Sequence, residues 1–379
     1  MTFAFRELPP LARRAGTIGI MALCVCAIGA VFDATAFFEG WLVSWLFLVG
    51  IALAAMMDVM IHVLTGGRWG LVLRRPLEAA MASLPLVALF ALPLAFGLPH
   101  LFAWARPEAA GNELLRAKQW YLNPSSFIGR NAAILVVWIS FSIALRRVLA
   151  IGAPASRQAR RIAVAGLIVY LFTVTIVAFD WVASLEPTWY STAIGIRVGV
   201  GQFVAAFGFA VPFAVFLAHE HPATREATPR DFQDLGNLLL TFSMTWAYIA
   251  FMQYLIVWAE DLPHEIAWYW PRTQTTWLAL VAPIVTMNFA IPVVAMLFRG
   301  IKRSGFALAT VCALALIGQW LDVLWLTMPS VRPAGFEVRW LDIAALVAQG
   351  GLWIAAVVTI TERLPAPRRS PRDEEAAYG

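Results

Sequence analysis

Long apolar stretches recur along this chain, separated by short polar segments. Each stretch has about 20 residues or more, the length that an α-helix needs to cross the ~30 Å hydrocarbon core of a bilayer. The pattern therefore predicts an all-α polytopic membrane protein with a single transmembrane domain over residues 1–361. About ten transmembrane helices are expected, near residues 16–35, 41–64, 82–105, 126–150, 161–185, 193–218, 235–259, 274–298, 305–328 and 341–361.

The composition leads to the same class. Hydrophobic residues make up 61% of the 379 residues and charged residues only 13%. A soluble domain of this size could not cover so much apolar surface with polar side chains. The segment 362–379 is instead rich in Pro, Arg and Glu, which predicts a disordered tail.

The basic residues are distributed unequally between the two sides of the predicted membrane domain. Lys and Arg lie on the side of the termini in a ratio of about three to one, which predicts cytoplasmic termini and a cytoplasmic tail. They are spread over short loops and do not line one groove, so no nucleic-acid partner is expected.

The chain lacks the ligands of the common redox centres. All three cysteines fall within predicted spans and cannot supply the four ligands of an iron–sulfur cluster. The five histidines do not offer a pair on facing helices at one depth, as a membrane b-haem requires. We therefore expect no haem, iron–sulfur cluster or other metal in this chain, and electrons would have to pass through partner subunits or a quinone. The histidines are His62, His100, His219, His221 and His264.

Three acids lie within the predicted spans: Asp58, Asp180 and Asp322. A charge at mid-membrane costs at least ~2.5–3.5 kcal/mol on insertion scales, so such acids are candidates for function. Asp58 and His62 are four residues apart, which places them on one helical face as a titratable pair suited to proton exchange. A structural hydrogen bond at the membrane edge is the alternative.

Asp180 lies near the end of its predicted span, followed by Trp181 and Glu186. Arg197 lies on the same side of the membrane and is the expected ion-pair partner of Asp180 or Glu186. A static ion pair is the structural alternative to a functional acid here.

The seventh predicted span carries Asn237, Thr241, Thr245 and Tyr248 at helical spacing. Such groups either join helices by hydrogen bonds or line a file of water.

Four segments of the chain resemble one family, the F subunit of bacterial alternative complex III, a quinol:cytochrome c or quinol:oxidase oxidoreductase. They are HVLTGGRWG (62–70), YLNPSSFIGRN (121–131), DWVASLEPTWYST (180–192) and DLGNLLLTFSMTWAYIAFMQYLIVWAEDLPHEIAWY (234–269). The chain departs from the family at Ile61, which precedes His62 where the family often has two histidines, and at Asn288, where the family has a histidine.

The resemblance implies a fold of the polysulfide-reductase membrane-subunit type, with two four-helix bundles and two flanking helices, in a bacterial inner membrane. It also implies a respiratory role beside a sister membrane subunit that carries the quinol site. The implied partners are the other membrane subunits, an iron–sulfur protein, multihaem cytochrome c subunits that hold the haems, and a terminal oxidase. The residues that the motifs carry over are His62, Asp180, Glu186, Asp234 and Glu265.

Three functions remain open at the level of sequence. The chain could conduct protons, with Asp58 and His62 as the cytoplasmic half of a path and Asp180, Glu186, Asp322 and Tyr248 among its other members. It could bind quinone, with Asp180 accepting a proton from the quinol beside Trp181. It could also be a non-catalytic scaffold. A secondary transporter is less favoured, because no interrupted spans occur at matching positions of the two halves.

The charge distribution gives a testable topology. A reporter that is active only in the periplasm should stay inactive when fused after Gly379, because the basic loops hold that side in the cytoplasm. The same reporter inserted in the 106–125 loop is the control and should be active. An active fusion after Gly379 would contradict the predicted orientation.

Overall fold

The regular structure is entirely helical in residues 9–151, 156–220 and 227–364, which the computed structural model describes. Ten helices in these ranges are long and apolar enough to cross a membrane, which confirms the predicted all-α polytopic membrane protein. Numbered as spans 1 to 10, they are Pro10–Phe32, Ala34–Thr65, Arg68–Phe96, Pro124–Ala150, Arg157–Leu185, Ile194–His219, Pro229–Glu260, Thr276–Leu297, Gly305–Val331 and Trp340–Arg363. The predicted tail lies outside the described residues from 365 onward.

Side-chain caps explain where several spans begin. Asp33, Asn123 and Ser156 each accept a hydrogen bond from a backbone N–H in the first turn that follows. Thr228 forms a reciprocal capping box with Asp231 at the start of span 7. Such caps satisfy N–H groups that have no partner within the helix.

Span 3 lies further towards the N-terminus than the predicted 82–105. Gly66 and Gly67 have positive φ values of 71° and 96°, so the chain reverses directly after span 2 and enters helix again at Arg68. The first turns carry Arg74, which donates to Glu78 at 2.6 Å. Because these side chains are charged, the hydropathy pattern does not indicate where the helix begins. The span consists of the helices Arg68–Ala82, Leu84–Leu89 and Leu92–Phe96.

Span 8 is also irregular. It contains a π-helical turn at Thr286–Ala290 between the helices Val281–Val285 and Ile291–Leu297. Asn288 is fully buried in this turn. Single π turns within α-helices are frequent at functional sites.

The spans are arranged as two closed groups of four. Spans 2 to 5 contact one another in a ring, spans 6 to 9 do the same, and spans 1 and 10 pair with each other beside them. This arrangement agrees with the expected pair of four-helix bundles and two flanking helices. Span 2 lies at the centre, since 78% of its apolar window is buried and it also contacts spans 6, 9 and 10.

Spans 1 and 10 approach most closely at a pair of glycines. A Cβ atom built on Gly351 would lie 2.8 Å from the carbonyl oxygen of Ala15 and 2.8 Å from the Cα atom of Gly19. The two backbones can therefore touch only because neither residue carries a side chain, as in other small-residue crossings of membrane helices.

This crossing gives a paired test. Gly351→Ala should lower the free energy of unfolding by about 1–3 kcal/mol, because the added methyl group meets backbone atoms that cannot move aside. Gly350 has no atom within 4 Å of a built Cβ. Gly350→Ala is therefore the control and should leave stability unchanged or raise it. Thermal unfolding in detergent measures both, and equal melting temperatures for the two variants would contradict the close crossing.

Candidate functional site

A row of buried polar side chains crosses the membrane domain through its centre. Its members come from four spans and are Asp58, Tyr170, Gln202, Gln319 and the Arg197–Asp322 pair. All of them are at most 8% exposed. Buried polar groups are costly without partners, so the contacts of each one indicate what the row can do.

Asp58 forms one end of the row. It is 1% exposed, and its Oδ2 atom has no hydrogen-bond partner within the described ranges. It lies seven residues before Thr65, or ~10 Å along the helix from the predicted cytoplasmic end. An orphaned carboxyl oxygen at this depth is strongly destabilising as a charge and is poised to exchange a proton with water or a neighbour.

His62 lies between Asp58 and this end of span 2. Its Nε2 atom is 3.0 Å from the carbonyl oxygen of Gly67, to which it can only donate. The ring packs edge-on against Trp69. The imidazole therefore lies at the mouth of the row, beside the Gly66–Gly67 turn.

Tyr170 and Gln202 form the middle of the row. Tyr170 is close enough to Asp58 to feel its charge. The hydroxyl group of Tyr170 donates to Oε1 of Gln202 at 2.8 Å. Gln202 in turn lines a small cavity of about 40 Å³ between spans 2, 5, 6 and 9. At ~10–15 Å³ of such volume for each molecule, this cavity has room for about two to four waters.

Gln319 and the Arg197–Asp322 pair line the far side of the same cavity. The Nε2 group of Gln319 donates to Oδ1 of Asn288 at 2.7 Å, so the π-helical turn of span 8 fixes the orientation of this amide. The cavity thus joins polar groups on opposite sides of a core that is otherwise apolar.

Arg197 and Asp322 form a buried bidentate ion pair, with N–O distances of 2.8 and 2.5 Å. Trp246 donates its indole N–H to Oδ2 of Asp322 at 3.1 Å, and the guanidinium group lies 4.7 Å from the Trp246 ring. The expected partners of Arg197, Asp180 or Glu186, are wrong. Arg197 faces span 9 across the bundle, and no spacing along the chain could indicate which helix lies opposite.

A second and larger cavity of about 630 Å³ begins where the row ends. Part of its wall is formed by Arg197, Asp322 and Trp246. The other wall residues belong mainly to span 7, span 8 and the helix Pro263–Thr273. Several wall residues are exposed at the outer surface of the bundle, among them Tyr248 and Phe251. The row is therefore continuous with a space that reaches the lipid-facing surface.

Asp180 belongs to a separate polar cluster. It is fully buried and accepts two hydrogen bonds of 2.8 Å from Arg130 and a third from Asn131, also at 2.8 Å. Asn131 in turn accepts from the indole N–H of Trp181 at 2.7 Å. The guanidinium group of Arg130 covers the Tyr121 ring at 3.8 Å. Burial and the negative charge of Asp180 raise the pKa of Tyr121, in the preceding loop, to about 12.

The remaining candidates lie nearer the surface. Glu186 is half-buried, accepts a hydrogen bond from Thr188 and feels the charge of Arg272. Asp234 is exposed at the start of span 7, and Glu265 is half-buried in the helix after it.

The polar stripe of span 7 does not face the bundle interior. Tyr248 is 61% exposed, and Thr241 and Thr245 donate to carbonyl oxygens of their own helix. Leu235, Leu239 and other residues of the opposite face are the buried ones, so a file of water along this stripe stays a prediction.

Sequence reasoning missed a second charge cluster at the predicted periplasmic end. Arg332 donates to Glu39 at 2.6 Å and to both oxygens of Asp342, and Arg339 also reaches Glu39. Burial by itself would lower the pKa of Arg332, but the hydrogen bonds and charges of Asp342 and Glu39 raise it. Glu39 lies inside an apolar stretch, so its presence was a signal that could have been followed.

Arg272 was also missed. It is fully buried, stacks 3.4 Å above the Trp268 ring and donates to the carbonyl oxygens of Trp268 and Leu326. No ion pair to a carboxylate is found for it in the described part of the chain.

Within the described ranges, no three His, Cys, Asp or Glu side chains are grouped as metal ligands. Comparison of the sequence with models of known protein families and with curated proteins finds no match.

The Asp180 cluster gives a test of buried ion pairing. Arg130→Met should cost about 3 kcal/mol of unfolding free energy, because it leaves the Asp180 carboxylate buried without its counter-ion. The double variant Arg130→Met with Asp180→Leu should recover most of that loss, since no charge is then left behind.

Arg116→Met, at an exposed position of the same side, is the control and should stay within about 0.5 kcal/mol of the parent. Chemical denaturation in detergent measures the set. If the double variant is less stable than Arg130→Met, the cluster is not held together by this ion pair.

Proposed function

We propose that this chain provides a transmembrane proton route, as a membrane subunit of a respiratory quinol-oxidising complex. The route runs from Asp58 through Tyr170 and Gln202 to the small cavity, and from there to the Arg197–Asp322 pair. The observation that carries the proposal is the orphaned Oδ2 atom of Asp58, which is buried at one end of the polar row.

The depths of the two acids support a route across the whole membrane. Asp58 lies ~10 Å from the predicted cytoplasmic end of span 2, and Asp322 lies nine residues, or ~13 Å, from the opposite end of span 9. Tyr170 and Gln202 lie between them. Each acid is thus within a few helical turns of its own side, and the groups between them span the apolar middle.

The chemistry of each group suits one step of proton transfer. Asp58 can take up a proton that arrives past His62, because its free oxygen is available to accept it. Tyr170 can donate its hydroxyl proton and accept another, and waters between Gln202 and Gln319 can continue the chain. Arg197 donates to both oxygens of Asp322, so a proton can bind this carboxylate only when part of the ion pair opens.

The respiratory assignment is supported by the sequence alone, through the four segments that resemble the F subunit of alternative complex III. On this proposal the quinol site, the iron–sulfur clusters and the haems belong to partner subunits. The chain would lie in a bacterial inner membrane with cytoplasmic termini, so protons would enter at Asp58 and leave near Asp322 and Glu186.

The quinone alternative at Asp180 is less favoured by the contacts of that residue. Arg130 and Asn131 bind its carboxylate, and the indole N–H of Trp181 is bonded to Asn131. Neither of the two cavities described above is lined by Asp180 or Trp181. These bonds favour a role for the Asp180 cluster in holding spans 4 and 5 together.

The test is proton translocation per electron in the complex purified through this chain. Asp58→Asn keeps the size of the side chain but removes the titratable proton, so translocation should fall at least tenfold while quinol oxidation continues. Tyr170→Phe removes the next hydroxyl group of the route and should also lower proton translocation per electron.

Ser44→Ala is the control on the same helix, because Ser44 is equally buried but donates only to the carbonyl oxygen of Gly40. Unchanged translocation in both Asp58→Asn and Tyr170→Phe would refute the route. Purification of the chain without any haem-containing partner would refute the respiratory assignment separately.

A further inference from the structure

Five arginines lie at the adjoining ends of spans 4 and 5, on the predicted cytoplasmic side. Span 4 carries two of them in its last five residues, and span 5 carries three in its first five. No Asp or Glu occurs between Asn131 and Phe179, so this part of the sequence supplies no counter-charge. The members of this arginine cluster are Arg146, Arg147, Arg157, Arg160 and Arg161.

The other described segments do not neutralise the arginine cluster either. None of its side chains forms an ion pair or hydrogen bond with a residue that the structure describes. On the same side of the membrane domain, Arg68 binds the carboxylate of Asp231. Arg74 binds that of Glu78. The positive-inside rule accounts for the sign of the cluster, but it does not require five charges to be left unpaired in one place.

Two members of the cluster are close enough to repel each other. Arg157 and Arg161 are four residues apart in one helix, so their Cβ atoms lie about 5–6 Å apart on one face. Both are exposed, on the face opposite the buried Ala159 and Ala163. Like charges at this spacing destabilise a helix unless an anion lies between them. The N-terminus of span 5 adds the positive end of a helix dipole at the same place, which favours an anionic ligand further.

Apolar side chains continue the same face of span 5 into the membrane. Val164, Ile168 and Phe172 follow Arg161 at helical spacing and are 47, 51 and 70% exposed. The face is therefore cationic at its end and apolar along its length. A phospholipid with an anionic headgroup and acyl chains has the complementary distribution of charge and apolar surface.

Span 4 presents a second face of the same kind. Arg147 is exposed in the last turn of this span. Ile143 and Val136 lie on the same side of the helix, deeper in the membrane, and both are exposed. The two spans that carry the cluster thus share one arrangement.

We propose that the arginine cluster binds the headgroup of an anionic phospholipid, such as phosphatidylglycerol, from the leaflet on that side. Guanidinium groups bind phosphate oxygens through paired N–H donors, and the acyl chains pack along the exposed apolar face of span 5. An acidic soluble protein would reach the arginines but not the apolar face within the membrane. None of the five arginines takes part in the proposed proton route, so lipid binding and proton translocation can fail separately.

The experiment is native mass spectrometry of the purified full chain, titrated with phosphatidylglycerol or with phosphatidylcholine that has the same acyl chains. The parent should bind one phosphatidylglycerol at a lower concentration than any phosphatidylcholine. The double variant Arg157→Gln with Arg161→Gln should raise the dissociation constant of that lipid about 25-fold, at about fivefold for each arginine.

The double variant Arg230→Gln with Arg299→Gln is the matched control. It removes two exposed arginines from the same predicted side, but these lie at the ends of spans 7 and 8, outside the cluster. It should leave the dissociation constant unchanged. Equal affinity of the parent for the two lipids would overturn the proposal without reference to any variant. Equal affinity of the parent and the Arg157→Gln, Arg161→Gln variant for phosphatidylglycerol would also overturn it.

Inorganic phosphate separates a lipid site from a site for a free anion. At the same concentration as the lipid, phosphate should leave phosphatidylglycerol bound to the parent, because it lacks the acyl chains that pack along span 5. Displacement of the lipid under these conditions would make the cluster a site for free phosphate and overturn the proposal.

Discussion

A charged side chain in the hydrocarbon core of a bilayer costs several kcal/mol unless a counter-charge or hydrogen bonds compensate it. Three of the compensating pairs in the described residues join different spans. Arg68–Asp231 joins spans 3 and 7, Arg130–Asp180 joins spans 4 and 5, and Arg197–Asp322 joins spans 6 and 9. These contacts therefore help to fix which helices lie side by side.

Asp58 differs from the other buried acids because one of its carboxyl oxygens is left without a bond in the described structure. Arg68, Arg130 and Arg332 each hold a carboxylate in place, and those carboxylates are therefore poor proton carriers. A carboxyl group with one free oxygen is a better proton carrier, because that oxygen can bind a proton without breaking an ion pair. The same constraint thus separates acids that hold the helices together from Asp58, to which we assign proton uptake.

The sequence was sufficient to predict the fold class and the presence of ten spans, because apolar length is a strong signal. It misplaced span 3, where the first turns are charged, and it did not indicate the π-helical turn around Asn288. It also identified Asp58, Asp180, Asp322 and Arg197 as residues that need partners. It could not assign those partners, since the choice between Asp180 and Asp322 for Arg197 depends on which helices face each other.

The cavities could not be predicted from the sequence either, because they also depend on which helices face each other. Gln253, Trp268 and Trp325 are far apart in the sequence or lie among many other aromatic residues, and only the packing of the helices brings them to one wall. Membrane proteins carry tryptophan and tyrosine at their interfaces in any case, so aromatic content alone did not indicate a cavity.

The central claim is that water connects the buried polar groups between Asp58 and Asp322. The most direct measurement is a density map of the chain in lipid at a resolution that shows ordered water. We expect water bonded to Oδ2 of Asp58 and about two to four waters between Gln202, Gln319 and Asp322, at ~10–15 Å³ of cavity volume for each. Side chains packed against one another there, with no water density along the row, would contradict the account.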